Sequence, residues 1–154
     1  MAVETLYQEL ILDHAKHPRN AGLREPYDAQ THHVNPTCGD EITVRVRLDS
    51  GQVADVSYDA LGCSISMAAA SVMTELVTGR PVAEGMAALE GFRALMHARG
   101  EGEPDEDLLG DGIAFAGVAR YPSRVKCALM SWLAWQEAVQ RANVPAVPTS
   151  EETT

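Results

Sequence analysis

Residues 42–58 read "ITVRVRLDSGQVADVSY", and the fold follows from the rhythm of this stretch. Ile42, Val44, Val46 and Leu48 alternate with Thr43, Arg45 and Arg47, the period-two pattern of a strand with one buried face. The "DSGQ" at 49–52 supplies a turn, and Val53 to Tyr58 resumes extended character with Ala54, Val56 and Tyr58 on one side. The two runs make an antiparallel hairpin. Just upstream, Tyr27 to Val34 offers a third strand.

Around this hairpin the pattern turns helical. Leu6, Tyr7, Leu10, Ile11 and His14 mark one face of a helix from about Glu4 to His17, which Pro18 ends. After "ALGC" at 60–63, Ser64 reads as the N-cap of a helix that runs to Thr78, with Gly79 as its stop. A second helix falls between Pro81 and Ala98. Pro122 opens a last one that carries Val125, Leu129, Trp132, Leu133 and Trp135 to about Ala142. Between them "GEGEPDEDLLGDG", residues 100–112, shifts toward acid and glycine and reads as an exposed loop or insertion, not as core. "NVPAVPTSEETT", residues 143–154, has two prolines and no periodicity, the pattern of a disordered tail. Strands early and helices late predict one α+β domain over residues 1–142, a small three-stranded antiparallel sheet with helices packed on one face.

Composition narrows the partners. The 154 residues suit one domain with a real core. Twelve basic against 22 acidic residues leave a formal charge of −10, which repels phosphate backbones and anionic lipid surfaces. Neither nucleic acid nor membrane is an expected partner, and a partner with a basic docking surface suits the charge. The first twenty residues lack the uncharged core of a signal peptide, and no apolar run reaches bilayer length, so the expected location is cytoplasmic.

Three cysteines, an odd number and widely separated, argue against a disulfide framework. In "NPTCGD", residues 35–40, an extended backbone would point Cys38 and Asp40 the same way, with Gly39 leaving the chain open between them. They read equally as two metal ligands or as an inert thiol beside a turn-making aspartate. Cys63 stands where the hairpin meets the helix at Ser64, as a ligand or as a small residue packed under that helix. Cys127 reads as a ligand or as a core residue flanking the Val125 and Leu129 stripe. Three sulfurs and one carboxylate suit tetrahedral zinc, and a [2Fe–2S] cluster can use the same set. Of the histidines, His32 and His33 are adjacent, so a strand sends them to opposite faces and at most one can join a site. His14, His17 and His97 read as solvated helix residues. Phosphate loops, a Ser-His-Asp arrangement and paired carboxylates at a diagnostic spacing are absent, so the cysteines carry the chemistry.

Four ordered blocks, "LYQELILDHAKHPRNAG", "NPTCGDEITV", "GCSISMAAASVMTELVTG" and "RVKCALMSWLAW", resemble the IscU/SufU family of iron–sulfur biogenesis proteins, a likeness covering about Leu6 to Arg141. The resemblance implies that Cys38, Asp40, Cys63 and Cys127 converge at one exposed end of the domain and bind Zn2+. Scaffold members carry a histidine before the third cysteine and a proline-rich chaperone-docking segment upstream. Here Lys126 takes that place and the segment reads "ARYPSRVKC". The acidic stretch from about Gly100 to Arg120 resembles the insertion of the SufU branch. The implied role is a zinc-dependent sulfurtransferase that takes persulfide sulfur on Cys38 from a SufS-type cysteine desulfurase and passes it toward downstream iron–sulfur assembly proteins. Arg124 and Lys126 read either as cations placed to offset the negative charge of such a centre or as ordinary helix-surface residues. The alternatives are a scaffold that builds and hands on a [2Fe–2S] cluster, and a binding module in which zinc only staples the fold.

Overall fold

The alternation at 42–48 becomes the central strand of a three-stranded antiparallel sheet, in a computed structural model that describes residues 2–101 and 103–143. Strands β1 (Ala29–Asn35), β2 (Asp40–Asp49) and β3 (Gln52–Leu61) lie in the order β1-β2-β3. In β2, Asp40, Ile42, Val44 and Val46 face the interior, and Glu41, Thr43, Arg45 and Arg47 face outward. Arg47 opposes Asp55 but Leu48 opposes Val53, so Ala54 is the extra residue of a β-bulge. The bulge changes the inward parity of β3. Val53, Val56 and Tyr58 are buried while Ala54 is half-covered, and Leu48 is half-buried as well. Simple alternation, which set Ala54 on one side with Val56 and Tyr58, fails at the bulge, whereas Leu48 packs against the core at its edge as the alternation of β2 requires.

Helices α1 (Ala2–Lys16), α2 (Ser64–Val77), α3 (Val82–His97), α4 (Glu106–Leu109) and α5 (Pro122–Asn143) complete the layer, with a 3-10 helix over Gly110–Arg120. The α5 helix lies on β1 and β2, α2 packs between α5 and α1, and α3 packs against α2 and α5. A Thr31 hydroxyl donates to the Ala134 carbonyl at 2.8 Å, tying β1 to α5 across the interface. Ser64 is the first residue of α2, and Cys63 takes the cap position assigned to Ser64 from sequence. In α1, Tyr7, Ile11 and His14 turn inward and Leu6 is left 54% exposed.

The acidic segment is half core, contrary to its composition. Residues 101 and 103–107 are largely exposed, but Leu109, Gly112, Ala114, Phe115, Val118 and Ala119 are buried. Phe115 meets Phe92 edge-on at 5.5 Å, and Phe92 stacks on Trp132 at 5.3 Å. This trio joins the 3-10 helix to α3 and α5. His14, expected in solvent, is 1% exposed: its ring nitrogens hydrogen-bond Ser71 Oγ at 2.8 Å and Asp111 Oδ2 at 2.9 Å. One imidazole thus pins α1, α2 and the 3-10 helix together. His17 and His97 are exposed as expected.

The free edge of β3 is covered. Ala21 bridges to Tyr58, the Gly22 amide donates to the Tyr58 carbonyl at 2.7 Å, and the Arg24 guanidinium forks onto Asp55 at 2.7 and 3.1 Å. An edge so occupied is closed to pairing with other chains. Asn143 ends α5, while residues 144–154, assigned to a disordered tail from sequence, lie outside the described residues. Among the described residues no helix is long and apolar enough to cross a membrane.

These contacts separate two parts of the acidic segment by stability. Phe115→Ala should cost about 3–5 kcal/mol through the cavity it leaves, whereas Glu103→Ala in the exposed part should stay within about 0.5 kcal/mol of the parent. Urea unfolding of the two variants measures the contrast.

Candidate metal centre

The hairpin joining β1 to β2 turns through Pro36, Thr37, Cys38 and Gly39, closed by the Asn35 carbonyl, which accepts from the Cys38 amide at 3.2 Å and the Gly39 amide at 2.9 Å. Gly39 has φ +75°, the left-handed region in which a side chain is strained. Cys38 is therefore presented by a turn and not by strand alternation. It is exposed, whereas Asp40, the first residue of β2, shares the inward face of Ile42 and is 1% exposed.

Asp40 is met by the start of α2. The Cys63 amide donates to Oδ1 at 3.1 Å, the Ser66 hydroxyl donates to Oδ2 at 2.5 Å, and Cys63 Sγ lies 3.7 Å from Oδ2. Gly62 makes the approach possible, since a Cβ there would stand 2.5 Å from Oδ1. Cys127, buried one turn into α5, brings Sγ to 3.3 Å from Cys38 Sγ and 3.7 Å from the Ser123 carbonyl, and Asn35 Nδ2 approaches it at 3.9 Å. Donor atoms of Cys38, Asp40 and Cys127 all lie within 4.8 Å of one another. Cys63 stands outside that grouping and joins it through Asp40.

Burial pushes the Asp40 carboxyl up, but hydrogen bonds from Ser66, Cys127 and Cys63 outweigh it and hold the group below its ordinary range. For Cys127 every influence has one sign: burial first, then hydrogen bonding to Asp40 and Cys38 and the charges of Cys63 and Asp40, all pushing the thiol well up. Crowded against a buried carboxylate, the Cys127 thiol retains a proton that a divalent cation would displace.

The donor chemistry fits zinc. On a tetrahedral zinc with Zn–S bonds of about 2.3 Å, two sulfurs lie roughly 3.8 Å apart and a sulfur and a carboxylate oxygen roughly 3.5 Å apart. The 3.3 Å and 3.7 Å separations are close to those spans. Thiolates with one carboxylate are also the ligand types zinc takes.

The cluster floors an open groove of about 910 Å³ whose walls include Tyr7, Ile11 and Leu12 of α1, with Tyr121 and Arg124 at the head of α5. Arg124 is on the wall, its guanidinium 5.4 Å from the Tyr121 ring centre. Lys126 is exposed and does not line the groove. His32 bonds Thr43 at 2.9 Å and His33 bonds Glu137 at 2.6 Å, on opposite faces, and neither joins the sulfurs. Sequence reasoning passed over Ser66 and Gly62. The Gly62 signal was available in "LGCS", where a glycine beside a candidate ligand marks close approach; Ser66 gave none, because its neighbour Ser64 drew the capping assignment.

Comparison with known proteins agrees on one lineage. The model of the NifU-like N terminal domain matches residues 6–128. The chain is 38% identical over 140 residues to a zinc-dependent sulfurtransferase SufU from Bacillus subtilis, spanning 90% of this chain and 92% of that one. It is 35% identical over 137 residues to an iron-sulfur cluster assembly scaffold protein IscU from Streptococcus pyogenes, spanning 89% and 84%. The crystal structure of an iron-sulfur cluster assembly scaffold protein for the SUF system from Fervidobacterium islandicum superposes with a TM-score of 0.79 at 32% identity, over 88% of this chain and 97% of that one.

The lowered Asp40 value sets a pH dependence for the metal-free protein. A carboxyl held below its ordinary 3.8 adds stability that is full above that value and lost as pH falls through the depressed one. Asp40→Asn should thus be less stable than the parent at pH 7, with the gap closing below about pH 4. Thermal unfolding of both, stripped of metal, from pH 7 to 3 checks the sign.

Proposed function

Since the chain belongs to the NifU-like N-terminal domain family, we propose that it serves iron–sulfur cluster assembly as a zinc-dependent sulfurtransferase, taking persulfide sulfur from a SufS-type cysteine desulfurase. The observation that carries this reading is the unequal exposure of the donors. Cys38 and Cys63 are both exposed while Asp40 and Cys127 are buried, and of the two exposed sulfurs it is Cys38 that stands on a glycine-hinged turn. A set built only to staple a fold has no use for an exposed sulfur presented on a glycine-hinged turn.

Cys38, Asp40, Cys63 and Cys127 hold the ion. Zinc, when bound, keeps its cysteine ligands deprotonated at neutral pH and has no redox chemistry with which to oxidise the sulfur. Cys38 is the acceptor, because its turn can swing without disturbing β2. Its thiolate attacks the terminal sulfur of the donor's persulfide. A bond forms between Cys38 Sγ and that sulfur, the donor's sulfur–sulfur bond breaks, and the donor cysteine leaves as a thiolate. One persulfide replaces another, with no net oxidation. Arg124 on the groove wall offsets the negative charge of the centre and of the incoming persulfide, and Lys126 adds a more distant positive charge. Lys126 also stands where scaffold relatives place a histidine, which favours transfer over cluster building. The same set of donors suits a [2Fe–2S] cluster, so a scaffold is the alternative.

Protein purified without air should be colourless with one equivalent of zinc; a brown protein with iron and sulfide would reverse the order of the two readings. Cys38→Ala should keep the far-ultraviolet dichroism of the parent yet lose all stimulation of the desulfurase and all uptake of a sulfur atom, read by mass spectrometry. Stimulation equal to the parent's would remove Cys38 from the acceptor role.

A further inference from the structure

Ser66 touches two of the four donors without belonging to the set. It is the third residue of α2 and 3% exposed. Its hydroxyl donates to Asp40 Oδ2 at 2.5 Å, and its oxygen lies 3.5 Å from Cys63 Sγ. We propose that Ser66 is a positioning residue that fixes the Asp40 carboxylate in its metal-binding orientation, an inference resting on the metal reading above.

The argument begins with the torsion that points a carboxylate. Rotation about Cβ–Cγ of an aspartate is soft, so the direction of its lone pairs is set by what holds the oxygens. Thiols that ligate a metal no longer donate, so at Asp40 each oxygen then has one holder: the Cys63 amide on Oδ1 and the Ser66 hydroxyl on Oδ2. Both holders come from one rigid unit, the first turn of α2, so they fix the carboxylate plane relative to Cys63 itself. Oδ2 is the oxygen turned toward the Cys63 sulfur. With the thiols deprotonated on the metal, loss of Ser66 leaves the Cys63 amide alone, and a single bond lets the group pivot.

A serine hydroxyl has one hydrogen. It serves Asp40 or the Cys63 sulfur, but not both, so the hydroxyl also links the two ligands: whichever carries more negative charge takes it. Ser64, two residues earlier, supplies a natural control. It is exposed on the groove wall and bonds none of the four donors.

Partners that orient metal ligands are worth about 10–100-fold in affinity, and this is the loss expected for Ser66→Ala in a zinc competition titration against a chromophoric chelator. Alanine suits a helix, so the fold should persist, checked by far-ultraviolet dichroism. Ser64→Ala should bind as the parent does. In an Asp40→Ala background, Ser66→Ala should add no further loss, since the two act through one bond. With Co2+ in place of zinc, Ser66→Ala should keep the sulfur charge-transfer bands and shift the ligand-field bands that report the fourth ligand. Affinity in Ser66→Ala equal to the parent's, or a loss undiminished when Asp40 is already absent, would overturn the assignment while leaving the metal centre standing. Failure of the parent itself to hold zinc would instead remove the metal reading, and this inference with it.

Discussion

A carboxylate buried at the end of a β-sheet is costly unless every oxygen finds a partner, and Asp40 is such a group. Its neighbours along β2 on the inward face are Ile42, Val44 and Val46, all at most 1% exposed. The charge is tolerated because the amide of Cys63 and the hydroxyl of Ser66 converge on it, and because Gly62 has no side chain to keep them away. The same requirement brings the first turn of α2 down onto the mouth of the hairpin. Satisfying one anion thus gathers the sulfur of Cys63 beside those presented by the turn and by α5.

The rest of the fold holds this corner rigid from behind. The α5 helix runs over β1 and β2 and carries Cys127 at one end and the Trp132 and Trp135 anchors further along. The stack of Phe115, Phe92 and Trp132 clamps the 3-10 helix to α3 and α5, and His14 fastens α1 to both α2 and the 3-10 helix. Rigidity there contrasts with the Cys38 turn, which is held by main-chain bonds to a single carbonyl. The donors therefore differ in freedom as well as in exposure.

Much of this was legible. Alternation in "ITVRVRL" located β2 because one face meets helices and the other water, and Pro122 marked the head of α5 because its ring fits a first helical turn. What escaped was non-local. A bulge at Ala54 shifts parity without any glycine or proline to announce it. Composition misread residues 100–112 because the acids cluster at the start, while Leu109 and the residues after it turn inward to meet Phe92. His14 looked solvated since nothing adjacent in sequence hints at Ser71 or Asp111, which lie 57 and 97 positions away. At the site, spacing left every cysteine ambiguous; only the joint pattern of four blocks singled out a set. Ser66 was invisible because its meaning depends wholly on a carboxylate 26 positions earlier.

Cys38 and Cys127 are 89 positions apart, and that separation orders events during biosynthesis. In a small zinc finger the metal drives folding, because too little apolar surface is available without it. This chain has a full core of its own, so its topology must be complete, with the last helix docked on the first strands, before the four donors share a corner. Such long-range closure comes late in folding. A nascent or truncated polypeptide lacking the final helix is without the Cys127 sulfur, so the complete donor cluster is a mark carried only by finished molecules.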